Sequence, residues 1–199
     1  GFTTKIHLRI NALGLPIAFA LTGGVRMDDN EFYGRHWTPR LYGVWSATDA
    51  WTLKGGIAKG FKSPTIMQSN PQIGLPQRGG AYTWGNPDLE PEVSTNVELG
   101  LYFDDGGPLS ANATLFHTRF KGLSTTVITD GAPIASVGGA RSTGVELEGQ
   151  IRPVDNFSIA FSGTWLDAKY RNFFTDGGAT DLSGNRVQRQ PKWQWRVTP

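Results

Sequence analysis

The sequence predicts an all-β fold: an antiparallel up-and-down meander forming a portion of a transmembrane β-barrel. Three observations lead there. First, apolar and polar residues alternate along successive segments, so each strand has one greasy and one polar face. Second, short turns at 47–50, 104–108 and 152–156 alternate with longer loops at 28–36, 63–92, 122–139 and 170–189. Chains that cross a bilayer as up-and-down strands have this rhythm, with tight turns on one side and long loops on the other. Third, the 199 residues include 26 glycines and only 18% charged residues, which suits strands and turns better than helices. No window approaches the roughly 18 apolar residues of a membrane helix, whereas a tilted crossing strand needs only about ten.

The elements follow in order. From Ala18, Phe19, Leu21, Val25 and Met27 form one face and Thr22 and Arg26 the other. Trp37 to Ser46 sets Trp37, Leu41 and Trp45 against Arg40 and Tyr42. Pro39 has no N–H to donate and is expected near a strand end. The third strand, Trp51 to Lys62, sets Trp51, Leu53, Ile57 and Phe61 against Thr52, Lys54 and Lys62. After the long loop 63–92, Val93, Val97, Leu99 and Leu101 alternate with Ser94, Asn96 and Glu98. Leu109 to Lys121 alternates less cleanly. Arg141 to Ile151 opposes Val145, Leu147 and Ile151 to Glu146, Glu148 and Gln150. Phe157 to Lys169 opposes Phe157, Ile159, Phe161 and Trp165 to Ser158, Ser162 and Thr164, and a last strand carries Trp193, Trp195 and Val197. A half-buried strand of a soluble sandwich has the same period. Trp45 and Trp51, flanking a short turn on the apolar faces of neighbouring strands, sit where an interfacial girdle belongs. Lys54, Glu98, Glu146 and Glu148 are then expected to face a watery lumen, because a Lys or Arg on the lipid face costs ~2–4 kcal/mol at the midplane.

The middle of the chain also resembles a known family. Gly60-Phe61-Lys62-Ser63-Pro64, then Gly85-Asn86-Pro87-Asp88-Leu89-Glu90-Pro91-Glu92 leading into Asn96-Val97-Glu98-Leu99-Gly100, is similar to the barrel of TonB-dependent outer-membrane receptors. Within them it looks most like the catecholate-siderophore and colicin receptor branch, from about Leu21 to the end of the chain. The resemblance implies a barrel of about twenty-two strands, of which this chain holds about eight. It also implies an outer-membrane location and a ferric siderophore caught by the outer loops. By the same resemblance the chelate is expected to move inward when a plug domain is pulled by the TonB inner-membrane complex, with colicin or phage as further expected partners. A plug, a TonB box and the family's C-terminal aromatic residue are not recognisable, and the last residues are Thr198-Pro199. The segment alone is therefore expected to be inactive.

Residues 1–24 are similar instead to a segment of insertion-sequence DDE transposases, with a junction within Leu21-Thr22-Gly23-Gly24. The expected division is a transposase-derived leader over 1–20 and a partial receptor barrel over 21–199. The other reading of residues 1–24 is a turn and a barrel strand. They contain no Asp or Glu, so none of a transposase's catalytic carboxylates is present. The start, Gly1-Phe2-Thr3-Thr4-Lys5-Ile6-His7, is neither a Met nor a secretory signal, and the chain reads as part of a longer precursor.

No catalytic constellation emerges. The three histidines, His7, His36 and His117, are far apart and match no metal-ligand spacing, and cysteine is absent. Glu146 and Glu148 read as solvated lumen carboxylates, and Asp88, Glu90 and Glu92 lack the spacing of a calcium loop. No resident cofactor or metal is expected, and a net charge of +2 makes no case for nucleic acid. Transport is the expected function. Ferric catecholates are anionic and aromatic, so arginine and aromatic side chains suit them by charge and stacking. The loop 63–92 offers Arg78, Tyr82 and Trp84, with Lys62 at its root. The alternatives are a small passive outer-membrane channel and a soluble β-sandwich binding module. A DNA-acting enzyme would rest on residues 1–24 and lacks the carboxylates for it.

Overall fold

The alternation resolves into one sheet of nine antiparallel strands. The computed structural model describes residues 2–10, 17–76, 80, 82–125, 135–175 and 180–199. In chain order the strands are β1 (Phe2–Ile10), β2 (Ile17–Asn30), β3 (Gly34–Ser46), β4 (Trp51–Lys62), β5 (Gly74–Pro76), β6 (Tyr82–Trp84) and β7 (Glu92–Asp104). They continue as β8 (Leu109–Thr125), β9 (Ala135–Val154), β10 (Phe157–Arg171), β11 (Phe174–Thr175), β12 (Thr180–Asp181) and β13 (Trp193–Thr198). The large sheet runs β1-β2-β3-β4-β7-β8-β9-β10-β13, so each strand lies beside its chain neighbour once the hairpins β5–β6 and β11–β12 are set aside. This is the expected meander. The eight expected strands are β2, β3, β4, β7, β8, β9, β10 and β13. The ninth, β1, pairs along β2 from Phe2–Val25 to Ile10–Ile17.

Two expectations about the connections need correction. The polar loop at 28–36 shrinks to a turn at 31–33, since β2 and β3 stay paired to the Asn30–Gly34 rung. Polar groups carry the ladder into water there: Arg35 pairs with Asp29 at 3.3 Å and the Asn30 side chain accepts from the Phe32 and Tyr33 N–H groups. Pro39 lies inside β3 rather than near its end, opposite Val25. It is tolerated because the β3–β4 ladder stops at Arg40–Ala58, so the proline sits just beyond the last bond on that side. Beyond that point the His36 and Phe61 rings stack at 4.0 Å between the two strands.

The registers sort side chains into two faces. One row reads Phe19, Trp45, Leu53, Leu101, Ala113, Leu147, Gly163, Trp195 across β2 to β13. The next reads Leu21, Gly43, Gly55, Leu99, Leu115, Val145, Trp165, Trp193. This face is apolar and uncovered: Leu99 and Leu147 are each 48% exposed and Leu115 is 54% exposed. Among the described residues the buried apolar side chains are Leu89, Ala140, Ala168 and Phe173, none of them on those rows. A soluble sandwich hides its apolar face against a second sheet about 10 Å away. No described element covers this one, so the sandwich reading fails. The opposite face carries Lys54, Glu98, Glu146 and Glu148, with Lys54, Gly100, Thr114, Glu146 and Thr164 along one row.

Candidate functional site

The loop between β4 and β7 is a folded unit. Thr65 caps a one-turn helix, α1 (Ile66–Ser69), by a capping box: Thr65 Oγ1 accepts from the Gln68 N–H, and Gln68 Oε1 accepts from the Thr65 N–H at 2.9 Å. The β5–β6 hairpin follows. The chain then folds back on α1, with the Asn86 N–H donating to the Gln68 carbonyl at 2.7 Å. The Gly85-Asn86-Pro87-Asp88-Leu89 run explains itself here. Gly85 lies so close to the Asn70 carbonyl that a Cβ would collide with it. The Asn86 side chain accepts from the Asp88 N–H at 2.9 Å, fixing the turn, and Leu89 is buried at 2% exposure as its anchor. These residues hold the loop's shape.

Tyr82 and Trp84 stand on one side of β6, with Thr83 between them fully buried. Both rings cover Gly74, their neighbour on β5: a Cβ there would lie 3.2 Å from Tyr82 and 3.3 Å from Trp84. The two aromatics are thus brought together, half-exposed. Lys62, at the end of β4, is held by Glu92 across the β4–β7 ladder at 3.2 Å, so its charge is already partnered. Arg78 lies outside the described residues. A second folded tip sits on β10. Tyr170 and Phe173 rings pack at 4.1 Å, and the Ser183 hydroxyl accepts from the Phe173 N–H at 3.0 Å. Asp181 accepts from the Ser183 hydroxyl and from its N–H at 2.8 Å, which holds its carboxyl below the usual aspartate range.

The polar face adds groups that sequence reasoning did not single out for ligand contact. A recess of about 310 Å³ is bounded by Thr22, Arg40, Tyr42, Asn96 and Glu98, with Gly56 as its floor. The Asn96 amide donates to Glu98 at 3.2 Å and accepts from the Thr118 hydroxyl at 2.7 Å. Nearby, Lys54 lies over the Tyr102 ring at 4.0 Å, and Asn112 donates to Glu148 at 3.4 Å. The signal was the cross-strand register, which puts Tyr42, Gly56 and Glu98 on one row. Alternation gives the face but not the neighbours.

An uncovered apolar band, a polar opposite face and loops folded at one end fit one architecture, and the profile of the "TonB dependent receptor-like, beta-barrel" family matches residues 10–198. The chain belongs to the TonB-dependent receptor family. It is a segment of an outer-membrane barrel. The "Iron-regulated outer membrane virulence protein" of Vibrio cholerae is 45% identical over 109 residues, covering 55% of this chain and 17% of that protein. The "Ferrienterobactin receptor" of Escherichia coli K12 is 35% identical over 119 residues, covering 56% of this chain and 16% of that protein. Among solved structures, a mutant of the ferric enterobactin receptor from Pseudomonas aeruginosa, in complex with enterobactin, superposes with a TM-score of 0.66 at 25% identity, covering 78% of this chain and 26% of that one. The chain thus spans less than a fifth of the length of those two curated relatives.

Proposed function

We propose that this chain is part of an outer-membrane receptor for energy-coupled uptake of a ferric siderophore of the catecholate type. The names of its relatives support that reading, two of them naming enterobactin, a tricatecholate. The observation that carries it on this chain is the Tyr82–Trp84 pair, two half-exposed rings side by side on a folded loop tip. Such a surface suits a flat, anionic, aromatic chelate. Lys62, at the root of the loop and shared with Glu92, and Arg78, on its place in the sequence alone, are the cations assigned to the same loop. The protein needs no resident cofactor and performs no covalent chemistry: it binds and passes on its cargo. The TonB inner-membrane complex is the source of work, and colicin or phage are secondary partners.

Among the described residues β1 and β13 are left as the edges of the sheet. Lipid does not tolerate unpaired strand edges. The nine strands therefore work only with others beside them, and this segment by itself transports nothing. A transposase-derived leader over residues 1–20 stands against the family profile beginning at residue 10 and the pairing of β1 along β2, which favour a barrel strand there; the neighbouring genomic sequence decides, and an uninterrupted receptor gene upstream would refute the leader.

The deciding experiment is binding of a ferric catecholate to the full-length polypeptide that carries this segment. Tyr82→Ala and Trp84→Ala are each expected to weaken binding about tenfold, the scale of one lost stacking or cation–π contact. Unchanged affinity in both would refute the site. Equal affinity for a ferric hydroxamate would refute the catecholate class.

A further inference from the structure

The registers assemble a row of cations that no ligand-binding role above uses. Lys59 pairs with Thr95, Thr95 with Arg119, Arg119 with Arg141 and Arg141 with Lys169, and Lys169 bridges to Arg186. They lie on the apolar face, since Lys59 and Arg119 sit two residues beyond Ile57 and His117, whose row holds Leu41 and Val97. From β4 to β10 the row spans about 19 Å, at about 4.8 Å per strand. Lys121 and Arg171 stand two residues further along β8 and β10. Like charges directly opposite destabilise a sheet unless a counter-ion is shared. Asp167 faces this row and partners Lys169 at 3.4 Å. Arg119 instead donates to His117 at 3.1 Å and Arg186 to the Gln190 carbonyl at 3.2 Å, neither of them a carboxylate.

A second feature lies below. Gly43 and Gly55 pair directly, and the missing side chains leave a groove of about 730 Å³ on the apolar face, walled by Leu21, Leu41, Trp45, Leu53, Ile57 and Leu99. Lys59 stands one step above Ile57 at its upper end.

We propose that this row binds the phosphate groups of membrane lipid at the long-loop side of the bilayer, with an acyl chain in the groove over Gly43 and Gly55. Charge complementarity names the phosphate, and guanidinium groups favour it geometrically. The groove commits the site to a lipid rather than to free phosphate. The inference rests on the membrane-spanning fold and not on the siderophore reading.

The test reconstitutes the full-length polypeptide in vesicles of phosphatidylcholine with phosphatidylglycerol, and measures lipid retained after detergent extraction by native mass spectrometry. The wild type is expected to retain phosphatidylglycerol over phosphatidylcholine. The combined variant Arg119→Gln, Arg141→Gln, Lys169→Gln should retain about tenfold less, the scale of one charge-assisted hydrogen bond. Arg119→Lys with Arg141→Lys keeps the charge and should keep most of the preference, which separates loss of binding from loss of folding. Ferric-catecholate affinity should stay unchanged in all of them. A wild type without lipid preference overturns the proposal, as does displacement of the lipid by inorganic phosphate.

Discussion

The Lys62 ammonium lies 3.2 Å from the Glu92 carboxylate, across the last rung of the β4–β7 ladder. The pair ties the two ends of the ligand-loop candidate together. Its side chains are 64% and 30% exposed, so it contributes no more than about 1 kcal/mol to stability. Its larger effect is on charge. Glu92→Gln should leave the fold intact, free the cation and tighten ferric-catecholate binding about threefold at low salt, while Lys62→Ala weakens it by a similar factor. Fluorescence-quench titration of both variants checks this, and unchanged affinity in both removes Lys62 from the site.

Two glycines on adjacent rungs should respond oppositely to a methyl group. At Gly56 a Cβ would run into the Leu41 carbonyl and lie 2.6 Å from the Tyr42 ring. Gly56→Ala should cost about 1–3 kcal/mol, as overpacking does. At Gly43 the nearest atoms, in the Phe19 ring, are 3.8 Å away. Gly43→Ala should stabilise by about 0.5 kcal/mol by restricting the unfolded chain. Urea unfolding in lipid vesicles measures both, and equal effects would mean that Tyr42 does not cover Gly56.

Leu99 and Glu98 are neighbours on opposite faces of β7. Leu99→Arg should cost about 2–4 kcal/mol near the bilayer midplane. Glu98→Gln, on the polar face, should cost much less. Refolding yield and midpoint into vesicles compare them. A mild Leu99→Arg would show that this face meets water or protein instead of lipid.

The β11–β12 tip carries a pH dependence of known sign. Hydrogen bonds from the Ser183 hydroxyl and N–H lower the pKa of Asp181. A group depressed in the folded state contributes above its unfolded pKa, and that contribution fades as pH falls through the folded value. The Ser183 amide chemical shift should therefore move only at acid pH, below the range of a free aspartate. In Ser183→Ala the transition should shift upward, because the hydroxyl bond is lost. Coincident transitions would remove that bond as the cause.

Strand identity was legible because a period of two survives any neighbour: Trp51, Leu53 and Ile57 announce a face wherever the strand lies. The Gly85-to-Glu92 run was legible only as a resemblance. Its reason, Gly85 against the Asn70 backbone and Leu89 buried, involves residues brought together by the fold. Residues 28–36 read as a loop because they are polar, whereas the Asp29–Arg35 pair sustains the ladder in water. Of the candidate residues, Tyr82 and Trp84 stand out in the sequence by residue type, while their shared cover of Gly74 and the Lys62–Glu92 pairing come only from the fold.

By itself the sequence determined that this is a chain of crossing strands, each with one side for hydrocarbon and one for water. Alternation is a local property, set by where successive Cβ atoms point. Only the tertiary structure decided which side chains share a row: Tyr42 over Gly56 beside Glu98, and Lys59 in line with Arg119, Arg141 and Lys169. Register is a relation between distant segments, fixed by hydrogen-bonded rungs and turn lengths together, and no single stretch of chain contains it.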